Sequence, residues 1–335
     1  MNPLTNSLRE IASPALPLAP VCPACGGFVP AGFLESFHTY RLYGCSACGL
    51  QFWEPRQMPG AWRCARMFAD RDVRLLPLEP GHLSFLQDTQ APRRGTLLDA
   101  GCGTGNFLTA AWNAGYSVSG VELDPQAARF AANLCGHARV YPLSLEHFVD
   151  QNPRQRFDVV CFFEVLEHQA DPARFLRYVL SALRPGGYVA LSVPNGERWR
   201  TGIDPIDYPP NHFLRWNAVS LRSFLESRGL EILSLREQSA GIAYTAQMLN
   251  IALRSGISSR VVPDLPPAFC EAIQQDSFEP LSSAASSSLR FRIIHALARA
   301  KFAACFPLAL LAMPYVRWKG YRGAYLYCLA RWRAS

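Results

Sequence analysis

Two Cys-x-x-Cys pairs, Cys22-Pro-Ala-Cys25 and Cys45-Ser-Ala-Cys48, are each followed by a glycine, Gly26 and Gly49. A turn of this kind brings two thiolates within reach of one ion, and the glycine lets backbone N–H groups point at sulfur. Two such turns supply four sulfur ligands, the donor set of a closed structural zinc site that holds a fold together and does no chemistry. A redox dithiol needs only one pair. The remaining seven cysteines have no partner at ligand spacing and read as small core residues. A second constellation is Leu97-Leu98-Asp99-Ala100-Gly101-Cys102-Gly103-Thr104-Gly105, read as a strand, a glycine turn and the start of a helix. Seventeen residues beyond Gly105, Glu122 ends the next expected strand, where a carboxylate can accept from two ribose hydroxyls. The turn is D-x-G-x-G-x-G, not G-x-G-x-x-G. A carboxylate beside the loop repels a pyrophosphate and suits a ligand that carries an ammonium group, so a nucleoside amino acid fits better than a dinucleotide. The third constellation is Glu164, Glu167 and His168 after an expected strand, with His212 in a Pro-Pro-Asn-His turn farther on. Either imidazole can serve as a base near neutral pH, and each also has a structural reading, as a helix cap or a loop packing contact.

These groups need a scaffold. From Thr96 to Glu237 short apolar runs alternate with helical patterns, a βαβα rhythm that implies a parallel sheet covered on both faces. Thr96–Asp99, Val118–Glu122, Phe157–Phe163, Tyr188–Val193 and Glu231–Leu235 read as strands. Gly81–Thr89, Phe107–Asn113, Pro125–Asn133, Pro172–Leu183 and Ala218–Arg228 read as helices. The expected organisation is a loose leader over 1–20, a zinc ribbon over 21–55 and a helical connector over 56–95. A catalytic domain over 96–240 follows, then a helical segment with a Ser/Ala-rich linker over 241–288 and a basic, apolar, helical tail over 289–335.

Composition limits the classes available. Of 335 residues, 49% are hydrophobic and 18% charged, which is globular. No N-terminal stretch joins a basic start, an apolar run and a small-residue cleavage site, and an odd count of eleven cysteines fits a reducing compartment, so a cytoplasmic protein is expected. The longest apolar stretch, Phe302–Val316, is fifteen residues with Pro307 and Pro314 inside it, short of the roughly 18–20 needed to span a bilayer. The net charge of +7 is unevenly placed: residues 96–240 hold thirteen basic and fifteen acidic side chains, whereas from Leu289 onward there are nine basic residues and no acid. That tail has three readings: peripheral contact with an anionic membrane surface at the inner face, a helical extension packed on the enzyme, and, with less weight, nucleic-acid binding.

With the motifs in view, Leu98–Leu108 and Val121-Glu122-Leu123-Asp124 resemble the first two motifs of class I S-adenosylmethionine-dependent methyltransferases. Phe157–Val160 with Glu164–His168, Leu183-Arg184-Pro185-Gly186-Gly187-Tyr188 and Pro209–His212 are similar to later motifs of the small-molecule subgroup, and an N-terminal zinc ribbon recurs among such enzymes. The resemblance covers about residues 96–237. It implies an α/β fold with a Rossmann-like seven-stranded methyltransferase sheet, an N-terminal zinc ribbon and a helical C-terminal extension. It also implies S-adenosylmethionine as cofactor beside structural zinc. Asp99, Gly101, Gly103 and Gly105 would cradle the methionine part, Glu122 the ribose, and Leu123 the adenine. Where relatives carry an Asp for the adenine amine, this chain offers Ser144, or the Leu145 backbone. Phe163 and Glu164 would line the methyl side. In some quinone-pathway relatives the E-x-x-E-H cluster binds a divalent metal. The expected reaction is O-methylation of a small molecule or a glycan- or lipid-linked intermediate, with His212 or His168 as base. An RNA methyltransferase and a non-catalytic cofactor-binding module are the alternatives.

Overall fold

Apolar runs without polar alternation become strands buried on both faces, as a helix-covered parallel sheet requires. The computed structural model describes residues 20–29, 32–56, 78–198, 207–255 and 289–333. Nearly all of the leader, most of the connector and the Ser/Ala-rich linker lie outside the described residues. The main sheet contains β4 (Gly95–Ala100), β5 (Tyr116–Val121), β6 (Arg139–Tyr141), β7 (Phe157–Phe163), β8 (Leu183–Pro194), β10 (Leu230–Ser239) and β11 (Arg322–Trp332). Their order is β10-β11-β8-β7-β4-β5-β6, all parallel except β11, which runs antiparallel to both neighbours. This is the seven-stranded Rossmann-like sheet the motifs implied.

Helices α1 (Pro80–Gln87), α2 (Asn106–Asn113), α3 (Pro125–Leu134), α4 (Leu145–Gln151), α5 (Pro172–Ala182) and α6 (Ala218–Glu226) flank the strands. Their starts are written locally. Asp124 and Asp171 each accept a hydrogen bond from a first-turn amide (2.8 Å in both cases), with proline at the first helical position. Asn217 and Ser220 form a reciprocal capping box. The short strand β6 and helix α4 were not anticipated, because three residues of strand and seven of helix carry too little periodicity.

Two expectations about organisation are corrected. The ribbon strands β1 (Phe33–Phe37), β2 (Tyr40–Gly44) and β3 (Gln51–Glu54) do not stand alone. Their sheet takes a fourth strand, β9 (Leu214–Arg215), from the middle of the catalytic domain. One core joins them, so that Cys22, Cys45, Leu50 and Phe52 pack in the same buried cluster as Phe213 and Trp216. Nor is 289–335 one helical tail. It divides into α8 (Leu289–Trp318), which packs on α7 (Ile242–Ser255), and strand β11, inserted between β10 and β8 of the main sheet. Tyr325–Trp332 is apolar and aromatic because it is covered on both faces and paired on both edges. No helix among the described residues is long and apolar enough to cross a membrane.

Candidate functional site

The glycine turn forms at the carboxyl end of β4, where ligands sit in open sheets of this kind. Gly105 is in the left-handed region (φ 83°), and a Cβ there would lie 2.9 Å from Cα and Cβ of Ala131, so only glycine lets α2 start this close to α3. Gly101 (φ 89°) has Val165 Cγ2 2.8 Å from where its Cβ would be. Gly103 is held from the neighbouring strand: its amide donates to Glu122 Oε2 at 2.9 Å, while the Asp124 amide donates to Glu122 Oε1 at 2.9 Å. Asp99 and Glu122 are both buried. Burial, then the nearby Glu122 and Glu79 carboxylates, push Asp99 up to about 8. Burial also raises Glu122 and Glu79. A cradle of mutually repelling, desolvated carboxylates is relieved by a cation, so the donor set fits a ligand carrying sulfonium and ammonium charges.

The other expected cofactor residues are near this edge. Leu123 follows Glu122 and is 41% exposed. Ser144 is the N-cap of α4, accepting from the His147 amide at 3.2 Å and bonding to His147 Nδ1 at 3.0 Å, so its hydroxyl is already engaged by the helix. Leu145 opens that helix with a buried side chain. Phe163, at the end of β7, packs edge-on against His82 and Phe107 with ring centroids 4.8 and 4.9 Å away. Helix α1 therefore reaches the site through its N-cap Glu79 and through His82, neither of which the sequence motifs single out. Gly81 seats its first turn against Ser192 and Phe163, and the Glu79 amide donates to His82 Nδ1 at 3.1 Å. Burial lowers His82 to about 4, which keeps it neutral. The E-P-x-H capping pattern is the local signal for this placement.

The third constellation converges. Glu164 stands at a left-handed φ of 55° after β7, its Oε1 accepting from Ser192 Oγ at 2.8 Å, and burial raises it to about 8. A non-glycine residue held there is conformationally strained, a feature concentrated at functional sites. His168 donates from Nδ1 to the Asn211 carbonyl at 2.6 Å, and His212 donates from Nδ1 to Asp207 Oδ1 at 3.0 Å. Both Nε2 atoms then face Glu167 Oε1, at 3.9 Å from His168 and 4.0 Å from His212. Glu167 is 1% exposed, and neither carboxylate oxygen has a hydrogen-bond partner. Burial, with Glu164 next in weight, raises it well above the ordinary carboxylate range. Asp207 behaves oppositely. Burial pushes it up, but the His212 bond and the Arg198 and Arg215 charges outweigh this and hold it below its usual value. Asp207 had no place in the sequence reading, although an acid five residues before a candidate base is a signal worth testing.

Ribbon strand β3 positions this loop. The Trp53 amide donates to the Phe213 carbonyl at 2.9 Å, its Nε1 to the Asp207 carbonyl at 3.2 Å, and Arg215 donates to Gln51 Oε1 at 2.5 Å. Behind it the four cysteines gather as their spacing implied, with ligand atoms within 4.8 Å of one another. Cys22 and Cys48 sulfurs are 3.6 Å apart, as are Cys25 and Cys45. A disulfide requires about 2.05 Å, whereas a tetrahedral zinc at about 2.3 Å from each sulfur sets them near 3.8 Å apart. The Gly27 amide donates to Cys25 Sγ at 3.4 Å. The residues present fit zinc.

The chain matches a family model described as a methyltransferase domain over residues 71–235. It is 30% identical over 200 residues to a probable S-adenosylmethionine-dependent methyltransferase of Mycolicibacterium smegmatis, covering 55% of this chain and 73% of that protein. With a ubiquinone biosynthesis O-methyltransferase of Idiomarina loihiensis it shares 32% identity over 173 residues, covering 49% and 69%. Among solved structures, a cyclopropane synthase from Mycobacterium tuberculosis is similar with a TM-score of 0.41 and 17% identity, covering 70% of this chain and 78% of that one. The cysteine ribbon, α7, α8 and β11 all lie outside the residues matched by the family model.

Proposed function

The chain belongs to the class I S-adenosylmethionine-dependent methyltransferases, and from that premise we propose that it methylates an oxygen of a small molecule or a glycan- or lipid-linked intermediate, with His212 as the base. The observation that supports this is the Asp207–His212 pair. An ionised, buried carboxylate orients the imidazole through Nδ1 and leaves Nε2 to take a proton from an acceptor hydroxyl. Asp99, Gly101, Gly103 and Gly105 hold the amino-acid part of the cofactor, which supplies the electrophilic methyl group. Glu122 holds the ribose, Leu123 and the Leu145 backbone face the adenine, and Phe163 and Glu164 shape the methyl side. Ser144 serves the helix first, as its cap. Transfer of labelled methyl from the cofactor to small-molecule, lipid and polysaccharide fractions tests the reading. Label entering only RNA would overturn it.

The buried Glu167 carboxylate favours a second reading of the same centre. With neither oxygen hydrogen-bonded and two imidazole Nε2 atoms facing it, Glu167, His168 and His212 match the two-histidine, one-carboxylate donor set of a divalent cation. Each histidine already donates its other nitrogen to a carbonyl or carboxylate, as metal-ligating histidines do. A cation there would acidify an acceptor hydroxyl in place of a protein base. Metal analysis of the purified protein separates the two: in the second reading Glu167→Gln removes one bound divalent ion and leaves the zinc.

Two results are expected at the cofactor cradle. Glu122→Ala removes a carboxylate that orders the Gly103 turn and receives the ribose, so calorimetry should show S-adenosylmethionine binding weakened about ten- to a hundredfold. Normal affinity would refute the ribose assignment. Asp99 has its pKa raised in the free protein, and a cationic ligand lowers it again. Binding therefore takes up the deprotonated form, and affinity falls as pH drops below about 8, by up to about tenfold per unit. Calorimetry between neutral and mildly acidic pH should show this slope, and Asp99→Asn should flatten it.

A further inference from the structure

Helix α8 has two unlike faces. Cys305, Ala309, Met313 and Val316 are buried, the first two in a cluster with Ala246 of α7, and Met313 beside Thr245. The opposite face is exposed and apolar: Leu308, Leu311, Tyr315 and Trp318 recur at helical spacing, with Leu311 78% and Trp318 75% exposed. No charged residue falls between Phe302 and Val316. The face ends in a cationic and aromatic rim, with exposed Arg317 beside it and Lys319 Nζ over the Trp318 and Tyr315 rings at 4.7 and 5.9 Å. The helical pair is inserted between the carboxyl end of β10 and the start of β11, which is the sheet edge that carries the glycine turn and His168.

We propose that this face of α8 docks on the surface of an anionic bilayer, laying Leu308, Leu311, Tyr315 and Trp318 among the headgroups and turning the catalytic edge toward the membrane. Charge complementarity selects the occupant. The chain from Leu289 to Trp318 holds five basic residues and no acid, Lys319 follows directly, and a helix too short in apolar length to span can lie in the interface. A surface that lies on lipid suits an acceptor presented by lipid, so the inference deepens the proposed reaction, but its test needs no acceptor.

The full-length chain is sedimented with phosphatidylcholine vesicles and with vesicles of phosphatidylcholine mixed with phosphatidylglycerol. Wild type should pellet with the anionic vesicles at least about tenfold more strongly, and high salt should remove most of that difference. Leu311→Glu and Trp318→Glu, both at highly exposed positions, should each weaken the partition about tenfold. Their Tm and calorimetric cofactor affinity should stay at wild-type values. Equal pelleting with both vesicles, or an undiminished partition in Leu311→Glu, would overturn the proposal. So would a dimer in gel filtration that Leu311→Glu disperses while vesicles capture nothing, which would give the face to a second copy. A Tm lowered by Leu311→Glu in a protein that ignores vesicles would give it to the acidic stretch 256–288. Cofactor affinity and methyl transfer are read separately, so loss of one result leaves the other standing.

Discussion

His212→Ala is expected to lower turnover by about 10²–10⁴-fold while leaving S-adenosylmethionine affinity within about twofold. The asymmetry follows from where the groups sit. His212 bonds Asp207 and faces Glu167, whereas the proposed cofactor cradle comprises the glycine turn and Glu122, which holds Gly103 and Asp124. Removing the imidazole also leaves Asp207 Oδ1 without its hydrogen-bond donor, although Arg198 and Arg215 still pair with Oδ2. His212→Asn separates that loss from the chemistry, because an amide can donate to Asp207 but takes no proton at neutral pH. A base is required if both variants lose turnover. Weakened cofactor binding in either variant would move His212 into the cofactor pocket, and Asn restoring turnover would reduce it to a positioning residue. The measurement is steady-state methyl transfer to the acceptor found in the fraction screen, beside calorimetry of the cofactor.

How far such a site can be read in advance depends on how local its determinants are. The glycine turn was legible because the left-handed backbone at Gly101, Gly103 and Gly105 is a local demand that glycine meets freely, even though the close neighbours Val165 and Ala131 are distant in sequence, and Glu122 follows at a distance set by one helix and one strand. The cysteine ribbon was legible because two knuckles at the right spacing define the ligand set. What could not be read depends on partners far along the chain. Strand β11 pairs with residues about ninety positions earlier in β10 and more distant still in β8, and its unbroken apolar run has no period to distinguish strand from helix. The basic excess near the C-terminus also looked like one feature. In the structure Arg322 pairs with Glu197 and Glu237, Arg333 pairs with Glu231, and Arg331 donates to the Gly186 carbonyl, so these charges belong to the sheet. Glu167 was visible in the motif, but its isolation from any hydrogen-bond donor was not, because that follows from burial. Ser144 shows how one position can carry two signals: placed by its spacing beside the cofactor, it also caps the helix that follows.

The same dependence on distant pairing gives the ribbon a larger expected effect than a remote structural metal would have. In Cys48→Ser the sulfur that lies 3.6 Å from Cys22 is lost, and the protein should no longer retain the one zinc that metal analysis is expected to find in wild type. Structural zinc contributes about 10–16 kcal/mol of folding free energy in small zinc-binding peptides, so β1 to β3 should lose much of their order without it. Of those strands β3 pairs with β9, which follows His212 and Phe213, and Trp53 of β3 bonds both the Phe213 and the Asp207 carbonyls. A shift of about 1 Å in a catalytic group costs on the order of 10²-fold in rate. Turnover should therefore fall by about that factor, with a lowered Tm, while cofactor affinity changes little because β4 and β5, which carry the glycine turn and Glu122, pair within the main sheet and not with the ribbon strands. Trp53→Phe gives a milder version that keeps zinc and the aromatic packing but loses the Nε1 bond, and it should reduce turnover without releasing metal. A zinc-free Cys48→Ser protein with wild-type turnover would detach the ribbon from the reaction, whereas loss of cofactor binding in step with zinc would mean that its removal unfolds the whole domain.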